Sequence, residues 1–273
     1  MPPATVSRIV DLFSSLGPHR APRSGTIAGM VGPGRTAVAL RLPGAGPEAV
    51  PLDRALAAVV GYARGRRWLR FRSPGRPEGR WVEVPAYGWA RFDAHPPSTG
   101  LDADVLIAEG LHGRLDRTAW HGVHDALVRV VPLVDAACAR AAGRPFWALP
   151  ADEFSVLDEP GTVGALLRGI GDEAGPYAAH VLAALHHRHP GLVPHLTPTT
   201  RRALLPHVEE GDSGVEAVVH RELRVNAEAF TALDEVVADA LDAHPGRLRL
   251  HDVLLWLTTT LRLAHAVECG RSG

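Results

Sequence analysis

The sequence predicts a mainly α protein, a helical bundle preceded by a small mixed α/β region. Three observations carry this. Segments from Leu101 to Val267 repeat apolar residues at the 3.6-residue helical period, and Gly and Pro punctuate the gaps between them. The alternating, aromatic-rich stretches typical of strands lie before Ala94.

In chain order, Thr5–Leu16 sets Val6, Ile9, Val10, Phe13 and Leu16 on one helical face until Pro18, Pro22 and Gly25 break it. Thr26–Val31 and Thr36–Leu42 flank Gly32-Pro33-Gly34 as a hairpin, and Leu52–Ala63 has helical period. Arg67–Arg72 and Arg80–Phe92 read as two strands around a Ser73–Gly79 turn. The expected helices are then Leu101–His112 (capped by Ser98 or Thr99), Arg117–Ala142, Thr162–Gly169, Pro176–His189, Pro198–Val208, Gly214–Ala243 and Arg247–Val267. Pro132 is expected to kink or split the second, and Pro176 and Pro198 suit first-turn positions. Residues 1–96, 97–268 and 269–273 are expected to form a mixed α+β region, an all-α bundle and a tail.

Composition excludes several classes. The 273 residues are 46% hydrophobic and 22% charged, ordinary globular values, so a disordered or collagen-like chain is ruled out. All 29 Lys-or-Arg residues are Arg, which excludes Schiff-base lysine chemistry. The formal net charge of −1 argues against a surface that is basic all over. Cys138 and Cys269 form neither a disulfide framework nor a zinc cluster. Met1–Ser15 lacks a basic-then-apolar leader, and the most apolar windows are interrupted by charges short of the ~20 residues a bilayer needs, so a cytoplasmic protein off the membrane is expected. No phosphate-binding loop, dinucleotide glycine fingerprint or nucleophile elbow stands in the required context.

Leu166–Leu205 is dense in signals. A helix is expected to end at Gly169-Ile170-Gly171 and another to begin near Pro176, and bare glycine amides beside a helix start make an anion site. The order of this corner, Tyr177-Ala178-Ala179, His189-Pro190-Gly191-Leu192-Val193-Pro194 and Thr197-Pro198-Thr199-Thr200-Arg201-Arg202 resembles the core of helix-hairpin-helix DNA glycosylases. With Leu101–Leu106 and Leu248–Trp256 added, Leu52 to Leu261 resembles an actinobacterial domain family of unknown function.

The resemblance implies a helix-hairpin-helix-type bundle that binds DNA or another nucleic acid. Gly169, Gly171, Arg201 and Arg202 would hold backbone phosphate and Tyr177 would lie beside the hairpin. At the position of the glycosylase catalytic aspartate stands Thr197, and at that of the lyase-type lysine stands His180; these are the candidate catalytic residues. A neutral hydroxyl does not replace a carboxylate opposite a developing cation, so base excision in its usual form is not implied. Asp172 and Glu173 also add negative charge where a phosphate would sit.

A second surface signal precedes the bundle. Arg64–Arg91 holds eight arginines against Glu78 and Glu83, a local balance of 8 − 2 = +6. Arg67, Arg70 and Arg72 interleave with Trp68 and Phe71, a pattern suited to phosphate contact and base stacking. The competing expectation is an amphipathic strand pair with aromatics turned to the core and arginines snorkelling outward.

Among the 15 histidines, His121, His124 and Asp125 have spacing that would let one helix offer two imidazoles and a carboxylate to a divalent metal. The alternative function is therefore a small-molecule enzyme, metal-dependent or not, working in a pocket of the bundle. His180 and Thr197, or the His121 set, would serve it.

Overall fold

The computed structural model describes residues 39–98, 100–155 and 160–272; the expected Thr5–Leu16 helix and Thr26–Val31 strand, and Thr99, lie outside these. Ala37–Gly273 forms one compact unit, mainly helical. A two-residue ribbon pairs β1 (Ala39–Leu40) with β2 (Val50–Pro51), and α1 (Leu52–Arg64) follows directly. A hairpin of β3 (Arg66–Ser73) and β4 (Arg76–Pro85) comes next. The bundle continues with α2 (Leu101–His112), α3 (Arg117–Ala141), α4 (Val163–Ala174), α5 (Ala178–Arg188), α6 (Pro198–Leu204), α7 (Val215–Val225), α8 (Ala227–Leu241), α9 (Arg247–Thr259) and α10 (Leu263–Ser272).

No boundary falls at Pro97. α1 packs on α8, α9 and α10, so the described residues 39–96 belong to the same body as the bundle. The expected tail is helical: Cys269 to Ser272 complete α10. Gly61 and Gly270 explain the closeness of α1 and α10, since a Cβ on Gly61 would land on the Ala266 carbonyl and one on Gly270 on the Ala57 carbonyl. Two backbones meet where neither carries a side chain.

Several helix ends differ from expectation for identifiable reasons. Pro132 leaves α3 unbroken because it lies on the exposed face, where water can take the carbonyl freed by the missing N–H. Gly214–Ala243 divides at Asn226, whose side chain bonds both the backbone N–H (2.7 Å) and carbonyl (2.8 Å) of Arg41. The last segment divides at Leu261, whose φ of 58° no helix accommodates. β4 stops at Pro85, and Trp89–Arg91 is a short 3-10 turn that brings Phe92 and Asp93 under the bundle. Asp116 caps α3 by accepting from the Ala119 N–H at 2.8 Å, whereas Gly100 rather than Ser98 occupies the cap of α2. Ser98 instead donates to buried Asp104, which also receives Arg188.

The predicted glycine corner is absent. Gly169 and Gly171 sit inside α4, which runs on to Ala174 and turns only at Gly175, with φ of 53°. Val163, Leu167, Ile170 and Ala174 form the buried stripe of that helix, so burial carries the backbone through both glycines. Alanine at Gly169 or Gly171 would meet nothing closer than 3.6 Å. Gly169→Ala and Gly171→Ala are therefore expected to raise unfolding free energy by about 0.5–1 kcal/mol each in urea titration. Neither should weaken oligonucleotide binding, whereas a phosphate-gripping corner would be damaged by both.

Candidate functional site

The β3–β4 arm stands out from the bundle. Its register opposes Arg66 to Pro85, Trp68 to Glu83 and Arg70 to Trp81. Directly opposed residues share a face, so Arg66, Trp68, Arg70, Trp81 and Glu83 lie together on one side. Leu69, Val82 and Val84 occupy the other and are half-buried, along with exposed Arg67 and Phe71. Trp68 is 63% exposed and Trp81 60% exposed. The expected amphipathic strand pair would have hidden these indoles; instead both are turned to solvent beside guanidinium groups. Tyr87 and Phe92, from the same stretch, go the other way into the core.

The arm's charge is unspent. Arg66, Arg67, Arg72, Arg76 and Arg80 form no ion pair among the described residues, while Arg70 donates through Nε to the Glu78 carbonyl at 2.7 Å. A guanidinium left without a carboxylate keeps its forked donors for an outside acceptor.

The other residues tied to the glycine corner are placed less favourably. Arg201 is held by Glu216, a carboxylate 1% exposed, with Nη2 to Oε1 at 2.6 Å. Arg202 is exposed. Tyr177 is half-buried and lays its ring over Gly122 of α3, so close that a Cβ there would strike the ring. Thr197 caps α6 by accepting from the Thr200 N–H at 3.2 Å.

The expected metal set does not converge. His124 stacks on Trp120 at 5.6 Å and faces Asp102 of α2 at 3.6 Å, while exposed His121 presents its ring edgewise to Trp120. Among the described residues no three His, Cys, Asp or Glu side chains are grouped to hold a metal ion.

A different cluster gathers where α1, α2, α5, α6 and α9 meet. A cleft of about 170 Å³ is lined by Tyr62, His112, His195, Thr197, Arg249 and Trp256, with smaller residues between. Arg249 is nearly buried and clamps Asp93 through Nε at 2.5 Å and Nη2 at 3.1 Å. Its Nη2 also donates to the Tyr62 hydroxyl at 3.0 Å, and its guanidinium lies 5.0 Å from the Phe92 ring centre. Burial pushes the Tyr62 phenol up, helped by the Asp93 charge, so it stays protonated. Burial works against charge on Arg249, but Asp93 and Tyr62 outweigh it and hold the guanidinium more firmly protonated than usual.

Beside this pair His112 and His195 meet Nε2 to Nε2 at 2.9 Å, and His180 lies behind with its ring centre 5.1 Å from that of His112. A close imidazole pair joined this way shares one proton. Burial pulls His112 down to about 4, aided by the neighbouring His180 and Arg249, and pulls His195 well below the ordinary imidazole range. Behind the cleft a buried ion triad runs through α7 and α9. His251 Nε2 lies 2.6 Å from Glu222 and its Nδ1 3.8 Å from Asp252, whose other oxygen accepts the His195 N–H at 2.9 Å. Burial opposes a charge on His251, but the two carboxylates prevail and raise it to about 9.

The two predicted catalytic residues thus reach the same region by different routes. Thr197 lines the cleft, and His180 stands one imidazole back from it. Sequence reasoning missed Tyr62, Asp93, Glu222 and Arg249. One signal was present for Arg249: three charged or titratable residues set among leucines in Leu248–Leu255, a helix whose apolar face has no polar side, mark groups that must be buried and paired. No protein-family model matches this chain, and no curated protein and no solved structure is found to be similar to it.

Proposed function

We propose that this chain is a nucleic-acid-binding protein whose grip is the β3–β4 arm. The observation that carries the reading is the outward pairing of Trp68 and Trp81 with Arg66 and Arg70 on one face of a projecting hairpin. Two large apolar rings exposed to water cost free energy that a stacked base returns, at about 1–3 kcal/mol per base. Guanidinium groups with no internal carboxylate partner supply the phosphate contacts. The helix-hairpin-helix likeness contributes less. Its turn falls at Gly175 rather than at the earlier glycines, and Arg201 is committed to Glu216, so the helical frame supports the arm rather than gripping phosphate itself. Thr197 as a helix cap gives no support to base excision.

The test is fluorescence anisotropy of a labelled oligonucleotide against the full chain over a salt series. If four to six guanidinium groups displace counterions, the log–log slope should be about −3 to −5, and affinity should drop by about 10²-fold or more between 50 and 200 mM salt. Salt-independent binding, or no binding at low salt, contradicts the reading.

A further inference from the structure

The cleft among α1, α2, α5, α6 and α9 is separate from the arm, and nothing in the nucleic-acid reading uses it. Its polar inventory is unusual in one respect. Arg249 is 5% exposed, and a guanidinium at that depth normally spends all its donors. Nε and Nη2 are taken by Asp93 and Tyr62, yet Nη1 makes no hydrogen bond among the described residues. Nor is Nη1 one of the sealed polar atoms that lack a partner, so it borders open space, and Arg249 lines the cleft. A donor pair on a fixed, nearly buried cation therefore borders a small, partly open cleft.

The surroundings select the ligand. Asp93 already balances the charge of Arg249, and His251 stands between two carboxylates, Glu222 and Asp252, so the cluster carries one negative charge in excess and would repel a further anion. His112 and His195 share a proton and add no positive charge to attract one. The acceptor that suits Nη1 is thus a neutral oxygen. Tyr62 and half-buried Trp256, edge to face with ring centres 6.2 Å apart, both border the cleft and give it an aromatic lining. A volume of about 170 Å³ is below that of ordinary drug-sized pockets and suits one ring with one substituent.

We propose that this cleft binds a small, uncharged molecule bearing a carbonyl group, with the carbonyl oxygen on Nη1 of Arg249 and its apolar part against the aromatic lining at Trp256 and Tyr62. The site is assembled from helices that meet in the core, so it does not depend on the arm being occupied.

Benzamide, benzoate and benzamidinium share one shape and differ in charge, which makes them suitable probes. Each is titrated into the full chain and followed by ligand-observed saturation-transfer NMR. Benzamide is expected to bind at least about 10-fold more tightly than either charged analogue, a difference of about 1.4 kcal/mol. Ala179 lies at the start of α5 on the cleft wall, and Ala179→Trp should fill the space and abolish the benzamide signal. Circular dichroism verifies that the variant folds; if it does not, Ala179→Leu, a smaller intrusion, should still weaken benzamide severalfold. Benzoate or benzamidinium binding as well as benzamide, no binding of any probe at millimolar concentration, or benzamide binding untouched in a folded cleft-filling variant would each overturn the proposal. Oligonucleotide affinity measured on the same variant should be unchanged, which keeps this site's failure distinct from the arm's.

Discussion

Acidification from pH 6.5 to pH 5 is expected to destabilise the protein sharply, before ordinary carboxylates begin to protonate. His112 binds its proton near pH 6.5 when unfolded but only near 4 when folded, because burial keeps it neutral. Over that interval the unfolded state completes its uptake of a proton that the native state refuses, so stability falls with a slope rising to about 1.4 kcal/mol per pH unit, or about 1.5 kcal/mol in all. His195 and His186 are fully enclosed and shifted in the same direction, again through burial, and add to the loss. Against a usual total of about 5–15 kcal/mol this is a large fraction.

His251 acts with the opposite sign. Its folded value of about 9 lies above its unfolded one, so its contribution is complete below pH 6.5 and is lost as pH rises through about 9, amounting to about 3 kcal/mol. Stability should therefore peak between pH 6.5 and 7.5 and decline on both sides. Urea unfolding at pH 5, 7 and 9 measures this; His112→Gln should make the acid limb shallower and His251→Gln should flatten the alkaline one. A stability unchanged between pH 7 and pH 5 would show that these imidazoles are not held neutral.

Removing Arg249 is expected to cost more than removing Asp93 and Arg249 together. Both side chains are almost wholly buried, at 6% and 5% exposure, so the pair owes its tolerance to mutual compensation. Arg249→Met leaves the Asp93 carboxylate without a cation in the core, and the loss of a single partner from a buried pair is about 3–5 kcal/mol. The double variant Arg249→Met with Asp93→Leu removes the stranded charge and should recover most of that loss, since an apolar replacement of a buried pair is close to neutral. Tyr62 bonds both members, so Tyr62→Phe should cost about 1.5–3 kcal/mol, the range for hydrogen bonds to charged groups. Additive losses in the double variant would contradict the pairing account.

What was legible in the sequence follows from which forces set each feature. The helices Leu52–Arg64, Leu101–His112 and Arg117–Ala141 are set by local apolar period and nearby Gly, Pro or Asp116, and these are visible in a short window. The division at Asn226 is not, because the period continues through it and the cause is a bond to Arg41, 185 residues away. Gly169-Ile170-Gly171 misleads for a related reason. Two glycines weaken a helix by about 1 kcal/mol each, which the buried stripe of α4 overrides, whereas the positive φ at Gly175 cannot be overridden. The arm's composition was plain, but alternation alone cannot say which way an aromatic faces, and only the isolation of the hairpin turns Trp68 and Trp81 outward. The cleft was least legible, since Tyr62, Asp93 and Arg249 come from three distant segments with no shared motif.

The most direct measurement compares oligonucleotide affinity of the full chain with that of a Trp68→Ala, Trp81→Ala double variant at one salt concentration. Both indoles are exposed, so the variant should melt within a few degrees of the parent, and loss of two stacking platforms should raise Kd by about 30-fold or more. Equal affinity of parent and variant would contradict the arm as the binding surface.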